Sequence, residues 1–202
     1  MKSNEERLEE LLAYIDNLTR IHPADIPSID LYMDQVTTFM DERLSGSRWP
    51  GEEKILTKTM INNYAKNHLL PPPVKKKYSR NHILLLTLIY YFKNVISFHD
   101  IEQLFAPLRE RHFADGSAPE LETIYEKVFS LEKEQHERLR EDVKAKFQAA
   151  SETFSGSDGT DQEYLRLFAF ICELAFDVYL KKQMIEILAE QLRQENPPPK
   201  KK

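Results

Sequence analysis

The sequence predicts an all-α protein. Glycine is scarce, with five in 202 residues and none between Gly51 and Gly116. Charged residues make up 30% of the chain beside 41% hydrophobic ones. Apolar residues recur at helical spacing through most of its length. Long, glycine-poor, charge-rich stretches suit helices and not a β-sandwich. A chain of this length makes one sizeable domain or two small ones.

The elements follow in order. Glu5–Leu18 places Leu8, Leu11, Leu12, Ile15 and Leu18 on one helical face and ends before His22-Pro23. Leu31–Leu44 reads as a second helix, with Met33, Val36, Phe39 and Met40 on one side. Ser45–Glu53 is a loop by its Gly, Ser and Pro. Thr57 is a good N-cap for a third helix to about Asn67, and Pro71-Pro72-Pro73 imposes an extended chain after it. Val74–Tyr78 leaves room for a short strand-like wing. Ser79 caps a fourth helix, Arg80–Lys93, and the pattern Ser97–Asp100 opens a fifth to about Phe105.

Phe113–Pro119 is the clearest linker. Two longer helices, about Glu120–Thr153 and Gln162–Gln194, follow on either side of Ser155–Thr160. The expected division is an N-terminal helix (1–24), a first domain (25–112), a linker (113–119), a helical C-terminal region (120–195) and a disordered tail (196–202).

Several function classes lack their residues. Cys172 is the only cysteine, so no intramolecular disulfide and no cysteine-based zinc site is available. The six histidines are scattered without a His-Glu-x-x-His, and no phosphate-cradling glycine loop is present. His99-Asp100 has no histidine placed to complete a metal site, and Ser97-x-x-Asp100 reads as a helix cap. The acidic residues of 132–141 suit a solvated helix surface. No catalytic constellation, cofactor or metal is expected. The apolar region Tyr164–Leu192 is interrupted by Arg166, Glu173, Asp177, Lys181 and Lys182, which argues against a membrane span. The amphipathic, acidic N-terminus is not a secretory signal, and the expected location is the cytoplasm.

Charge supplies the positive signal. From Lys54 to Ile96 there is no Asp or Glu, but there are eight Lys or Arg in a chain of net charge −5. About seven acids would fall in that span at the chain's own average. Positive charge gathered in one segment of an acidic protein suits a polyanion. Within the run, Met60, Ile61 and Tyr64 face one way on the third helix, and Lys58, Thr59, Asn62, Asn63 and Lys66 the other. Asn pairs with adenine, whereas Lys reaches guanine or phosphate. Lys75, Lys76, Lys77, Tyr78 and Arg80 follow, where a wing would run along the neighbouring backbone. Tyr64, Tyr90, Tyr91 and Phe92 are expected in the core.

The stretch Met60–Phe105 resembles the MerR-type winged helix–turn–helix. Tyr64, Leu69-Leu70-Pro71, Lys77-Tyr78-Ser79 and Ile96–Ile101 stand in the order of that family's reading helix, basic wing and following turn. Ile29–Met40 and Leu56–Leu86 are also similar to a narrower family from Gram-positive bacteria. This is a domain of unknown function, often labelled a transcriptional regulator, and the likeness covers roughly Ile26–Leu108.

The chain departs from the MerR pattern in its enlarged Ser45–Glu53 loop and its shortened wing. Thr59 and Asn62 stand where the family often has Arg, so base preference does not carry over. The MerR resemblance implies double-stranded DNA as partner, and a homodimer formed through an antiparallel coiled coil. Leu121, Ile124, Val128, Leu131, Gln135, Leu139 and Val143 form the stripe in the matching place. A small-molecule or protein effector is a further expected partner, since the apolar last helix is able to line a pocket. That helix is expected to be buried against other helices or a second subunit. The alternative reading is a non-enzymatic adaptor that uses the helix–turn–helix as scaffold.

Overall fold

The computed structural model describes residues 2–47, 54–154 and 161–195. In chain order its elements are α1 (Asn4–Asp16), β1 (Leu31–Tyr32), α2 (Met33–Arg43), α3 (Lys58–Lys66), β2 (Lys77–Tyr78), α4 (Arg80–Phe92), α5 (Phe98–Arg111), α6 (Leu121–Ser130), α7 (Glu132–Thr153) and α8 (Gln162–Glu195). The described residues are mostly helical, as expected, and their one sheet has two short strands. The expected tail, the Ser155–Thr160 separator and most of the loop after α2 lie outside the described residues.

The chain divides into two compact units. The larger comprises Thr19–Phe129 and the chain from Met184 onward. Its centre is α4, which buries every residue from His82 to Ile89. A helix apolar on all sides must be covered on all sides. Val36 and Met40 of α2, Ile61 and Tyr64 of α3, Ile101 and Phe105 of α5, and Leu121, Tyr125 and Phe129 of α6 belong to that core. Ile55, Leu56, Leu69 and Leu70 add to it from the connections.

Local chemistry sets the ends. The Thr57 hydroxyl accepts from the Met60 N–H at 3.2 Å and starts α3. At the other end His68 is left-handed (φ 58°), and the Leu69 N–H returns to the Tyr64 carbonyl at 2.8 Å. The helix therefore stops on a left-handed cap ahead of the three prolines. Ser97 caps α5 by accepting from the Asp100 N–H at 3.2 Å. That helix runs past Pro107 to Arg111, farther than the expected end near Phe105.

Three sequence expectations change. Leu31 and Tyr32 form a strand and not the start of a helix, because the Gln35 side chain accepts from the Tyr32 N–H at 2.9 Å and fixes Tyr32 as N-cap. The segment 113–119 lies within the larger unit, where Asn81 of α4 donates to the Phe113 carbonyl at 2.7 Å. The single helix expected over Glu120–Thr153 is two, divided at Leu131. Leu121, Tyr125 and Phe129 load α6 into one core, whereas Val143 and Ala150 load α7 into the other.

The smaller unit contains α1, α7 and α8 up to Gln183. Ile15, Val143, Ala150 and Phe170 make its core, and the rings of Phe147 and Phe170 meet edge-on at 5.4 Å. Asn4 donates to the Glu163 carbonyl at 3.0 Å, and Arg140 pairs with Asp16. The expected stripe of 121–143 is thus divided, with Leu121 in one core and Val143 in the other. Of the two covers expected for α8, other helices or a second subunit, the chain's own helices leave Phe168, Ile171, Phe176, Val178, Tyr179 and Leu188 exposed.

Tyr125 ties α6 to the start of the larger unit by donating its hydroxyl to the Ile21 carbonyl at 2.7 Å, a fully buried bond. Tyr125→Phe leaves that carbonyl without this donor. Urea denaturation is expected to show a loss of about 1–2 kcal/mol. Unchanged stability would show that the bond contributes nothing to holding α6.

Candidate nucleic-acid interface

The residues expected to read DNA separate into three groups. Thr59, Asn62, Asn63 and Lys66 are exposed and fall at i, i+3, i+4 and i+7 along α3, so they form one outward stripe. Ile61 and Tyr64 point the other way and are buried. Lys58 sits at the start of the stripe but forms an ion pair with Asp34 of α2.

The wing is a minimal hairpin. Val74 and Lys77 exchange both backbone hydrogen bonds, at 3.1 and 2.9 Å. Lys75 and Lys76 form its tip, and both are left-handed (φ 49° and 64°). A two-residue tip of that geometry is the tight hairpin turn that ordinarily takes Asn-Gly. Two side chains with a Cβ pay about 1–2 kcal/mol each for the left-handed region. Lys75 and Lys76 are exposed and make no ion pair among the described residues. Lys77 is half-buried, pairs with Tyr32 across the sheet and holds its ammonium 5.3 Å from that ring's centre.

Tyr78 and Arg80 are not placed as a DNA contact would require. Tyr78 is 3% exposed, and its ring lies edge-on to His82 at 5.4 Å. Arg80 forks onto Glu122 of α6, with Nε to Oε2 at 2.6 Å and Nη2 to Oε1 at 2.7 Å. It also donates to the Ile26 carbonyl at 3.3 Å. Its hydrogen bond to Glu122 is the largest effect holding the guanidinium in its charged form. Tyr78 anchors the wing from within, and Arg80 ties the start of α4 to α6 and to Ile26.

Sequence reading missed Tyr32, Asp34 and Glu122. All three lie outside the acid-free run and reach it only through strand register and helix packing. Asp34 and Glu122 each neutralise one of its cations. Lys54, Lys66, Lys75 and Lys76 keep no ion pair among the described residues.

Beneath the wing, His82 is 3% exposed, and its ring packs edge-on with Phe113, the ring centres 4.8 Å apart. Its Nδ1 accepts from the Ser79 N–H at 2.9 Å, so the neutral ring carries its proton on Nε2. Burial is the largest effect and holds the imidazole below its ordinary range, partly offset by the Pro72 and Pro71 carbonyls and by Asp30. On α3, the Tyr64 hydroxyl has no hydrogen-bond partner among the described residues, and burial pushes it up to about 12. No group of three or more His, Cys, Asp or Glu able to hold a metal occurs among the described residues. No helix there is long and apolar enough to cross a membrane.

A family model described as "Domain of unknown function (DUF1836)" matches residues 21–128, just over half of the chain. The chain belongs to the DUF1836 family. No curated protein and no solved structure matches it. The DUF1836 match begins at Ile21, whose carbonyl takes the Tyr125 hydroxyl, and ends within α6. It therefore spans nearly the same residues as the first segment of the larger unit, with α6 and the segment 113–119 included. A domain of unknown function is expected from the sequence over roughly Ile26–Leu108, and the matched span is longer at both ends.

Acid sensitivity follows from His82. Above about pH 6.5, the ordinary value, folded and unfolded chains both carry the ring mainly neutral. As pH falls below it, the unfolded chain takes up the proton first, so stability is lost on the acid side. His82→Gln keeps an acceptor at the third helical position without titrating. Urea midpoints measured from pH 7.5 down to about 5 are expected to fall less in His82→Gln than in the unaltered chain. Parallel curves would exclude His82 as the source. Tyr64→Phe removes an unsatisfied buried hydroxyl and is expected to leave thermal stability equal or higher. A loss above about 1 kcal/mol would reveal a partner for that hydroxyl.

Proposed function

We propose that the chain is a DNA-binding transcriptional regulator in which α2 and α3 are the helix–turn–helix and the Lys75-Lys76 hairpin is its wing. The single observation that carries this reading is the wing tip. Two lysines occupy a turn that Asn-Gly would fill with less strain, and neither makes an ion pair among the described residues. Backbone strain retained at an exposed, charged position suggests that the charge has a use. Phosphate is the ligand such a turn suits, and it would take Lys66, Lys75, Lys76 and Lys77. Asn62 and Asn63 would face base edges, and Thr59 the sugar–phosphate backbone.

The order of elements supports the MerR-type resemblance: a strand, two helices, a hairpin whose second arm pairs with that strand, then two more helices. Tyr78 and Arg80 leave the contact set and become its supports. The second reading, an adaptor, is favoured by the apolar surface that α8 leaves open. It requires no nucleic acid.

Replacing Lys75-Lys76 by Asn-Gly separates the two readings. The change relieves the turn, so stability is expected to rise by about 1–2 kcal/mol. Affinity for duplex DNA from the chain's own upstream region, followed by fluorescence anisotropy, is expected to fall. The slope of log K against log salt should shrink by about 2, one unit per lost phosphate contact. If the slope is unaltered, or the unaltered chain binds no DNA at low salt, the DNA reading fails and the adaptor reading stands.

A further inference from the structure

Helix α8 has two apolar faces, and the chain covers one. Phe170 is buried, and Ala169 and Leu174 pack beside it against α1 and α7. On another side Tyr164, Phe168, Ile171, Ala175 and Val178 are all exposed, followed by Lys182. Their spacing alternates four and three residues without a break, which is the repeat of a coiled-coil seam and not of a single buried face. The large members are exposed by 65% at Tyr164, 51% at Phe168, 54% at Ile171 and 65% at Val178, with Tyr179 alongside at 59%. No charged residue falls on the seam before Lys182. At about 100 Å² each, five such side chains offer roughly 500 Å² per copy, so two copies would bury about 1,000 Å², the lower bound for a specific interface.

We propose that this face pairs with the same face of a second copy, antiparallel, about a twofold axis beside Cys172. Three features select that occupant and direction. The 4–3 repeat is self-complementary. Glu163 lies at the start of the seam, and Lys181 and Lys182 lie at its end, so antiparallel copies bring opposite charges together, whereas parallel copies bring like charges together. Antiparallel helix dipoles add in the same direction.

Sizes also match in that register. Ile171 meets the small Ala175 of the second copy, Phe168 meets Val178, and Tyr164 covers the aliphatic stem of Lys182. Lys181 is paired with Asp177 in the single chain at 2.7 Å, and Glu163 with Arg166 at 3.8 Å, so these end charges strengthen existing pairs into networks. The stripe over 121–143 has no such role, since its ends are buried inside the chain.

Sedimentation velocity of the full-length chain is expected to show a dimer at about 10 μM, a concentration that detects micromolar affinity. Ile171→Glu should give a monomer with an unchanged far-UV circular dichroism spectrum. A short bis-maleimide should join two chains through Cys172, the sole cysteine, in the unaltered protein and not in Ile171→Glu. Lys182→Glu should weaken the dimer about tenfold, and adding Glu163→Lys should restore it. A monomeric unaltered chain, or a dimer that survives Ile171→Glu, overturns the pairing. Failure of the double charge exchange to restore affinity overturns its direction. The pairing does not rest on DNA binding, and exchanging the Lys75-Lys76 tip should leave it unchanged.

Discussion

The larger unit depends on the burial of α4. Eight consecutive residues, His82–Ile89, are removed from water, including the Thr87 hydroxyl, which donates to the Ile83 carbonyl at 2.9 Å. Such a helix tolerates no side left open. Its coverage fixes where α2, α3, α5 and α6 lie, and so which face of α3 remains outside. The outward stripe of α3 is thus a consequence of core packing as much as of its own residues. The same demand explains why α6 belongs to this unit and not to the C-terminal helices.

The acid-free run has two physical causes, and sequence alone does not separate them. Over 82–89 acids are missing because the helix is buried, where an unpaired carboxylate is costly. Over 54–80 they are missing from the exposed positions as well as the buried ones, and at the exposed positions nothing in packing forbids them. Only this second part bears on charge presented to a partner. Even there the cation count overstates the positive field, because Asp34 and Glu122 arrive from elsewhere in the chain.

Much of the fold was legible because caps and apolar spacing are local. Thr57 and Ser97 announced α3 and α5, and the inward residues of α3 followed from spacing. What escaped was non-local or too short. Two residues of β1 carry no periodicity, and the division at Leu131 contains neither Gly nor Pro. It arises because neighbouring turns are claimed by different cores. In the candidate site, the stripe of Thr59, Asn62, Asn63 and Lys66 was readable. The inward turn of Tyr78 and the grip of Glu122 on Arg80 were not, since both depend on partners remote in sequence.

The Asp34–Lys58 pair gives α3 an internal rival for any incoming anion. A phosphate approaching the first turn of that helix meets an ammonium that already holds a carboxylate. The exchange gains only the difference between two charge-assisted contacts. On the proposed DNA-binding reading, Asp34 would act as a tethered competitor for phosphate at Lys58. Such competition would weaken anion contact at the first turn of α3 and leave Lys66, which has no ion pair among the described residues, as the freer cation of that helix.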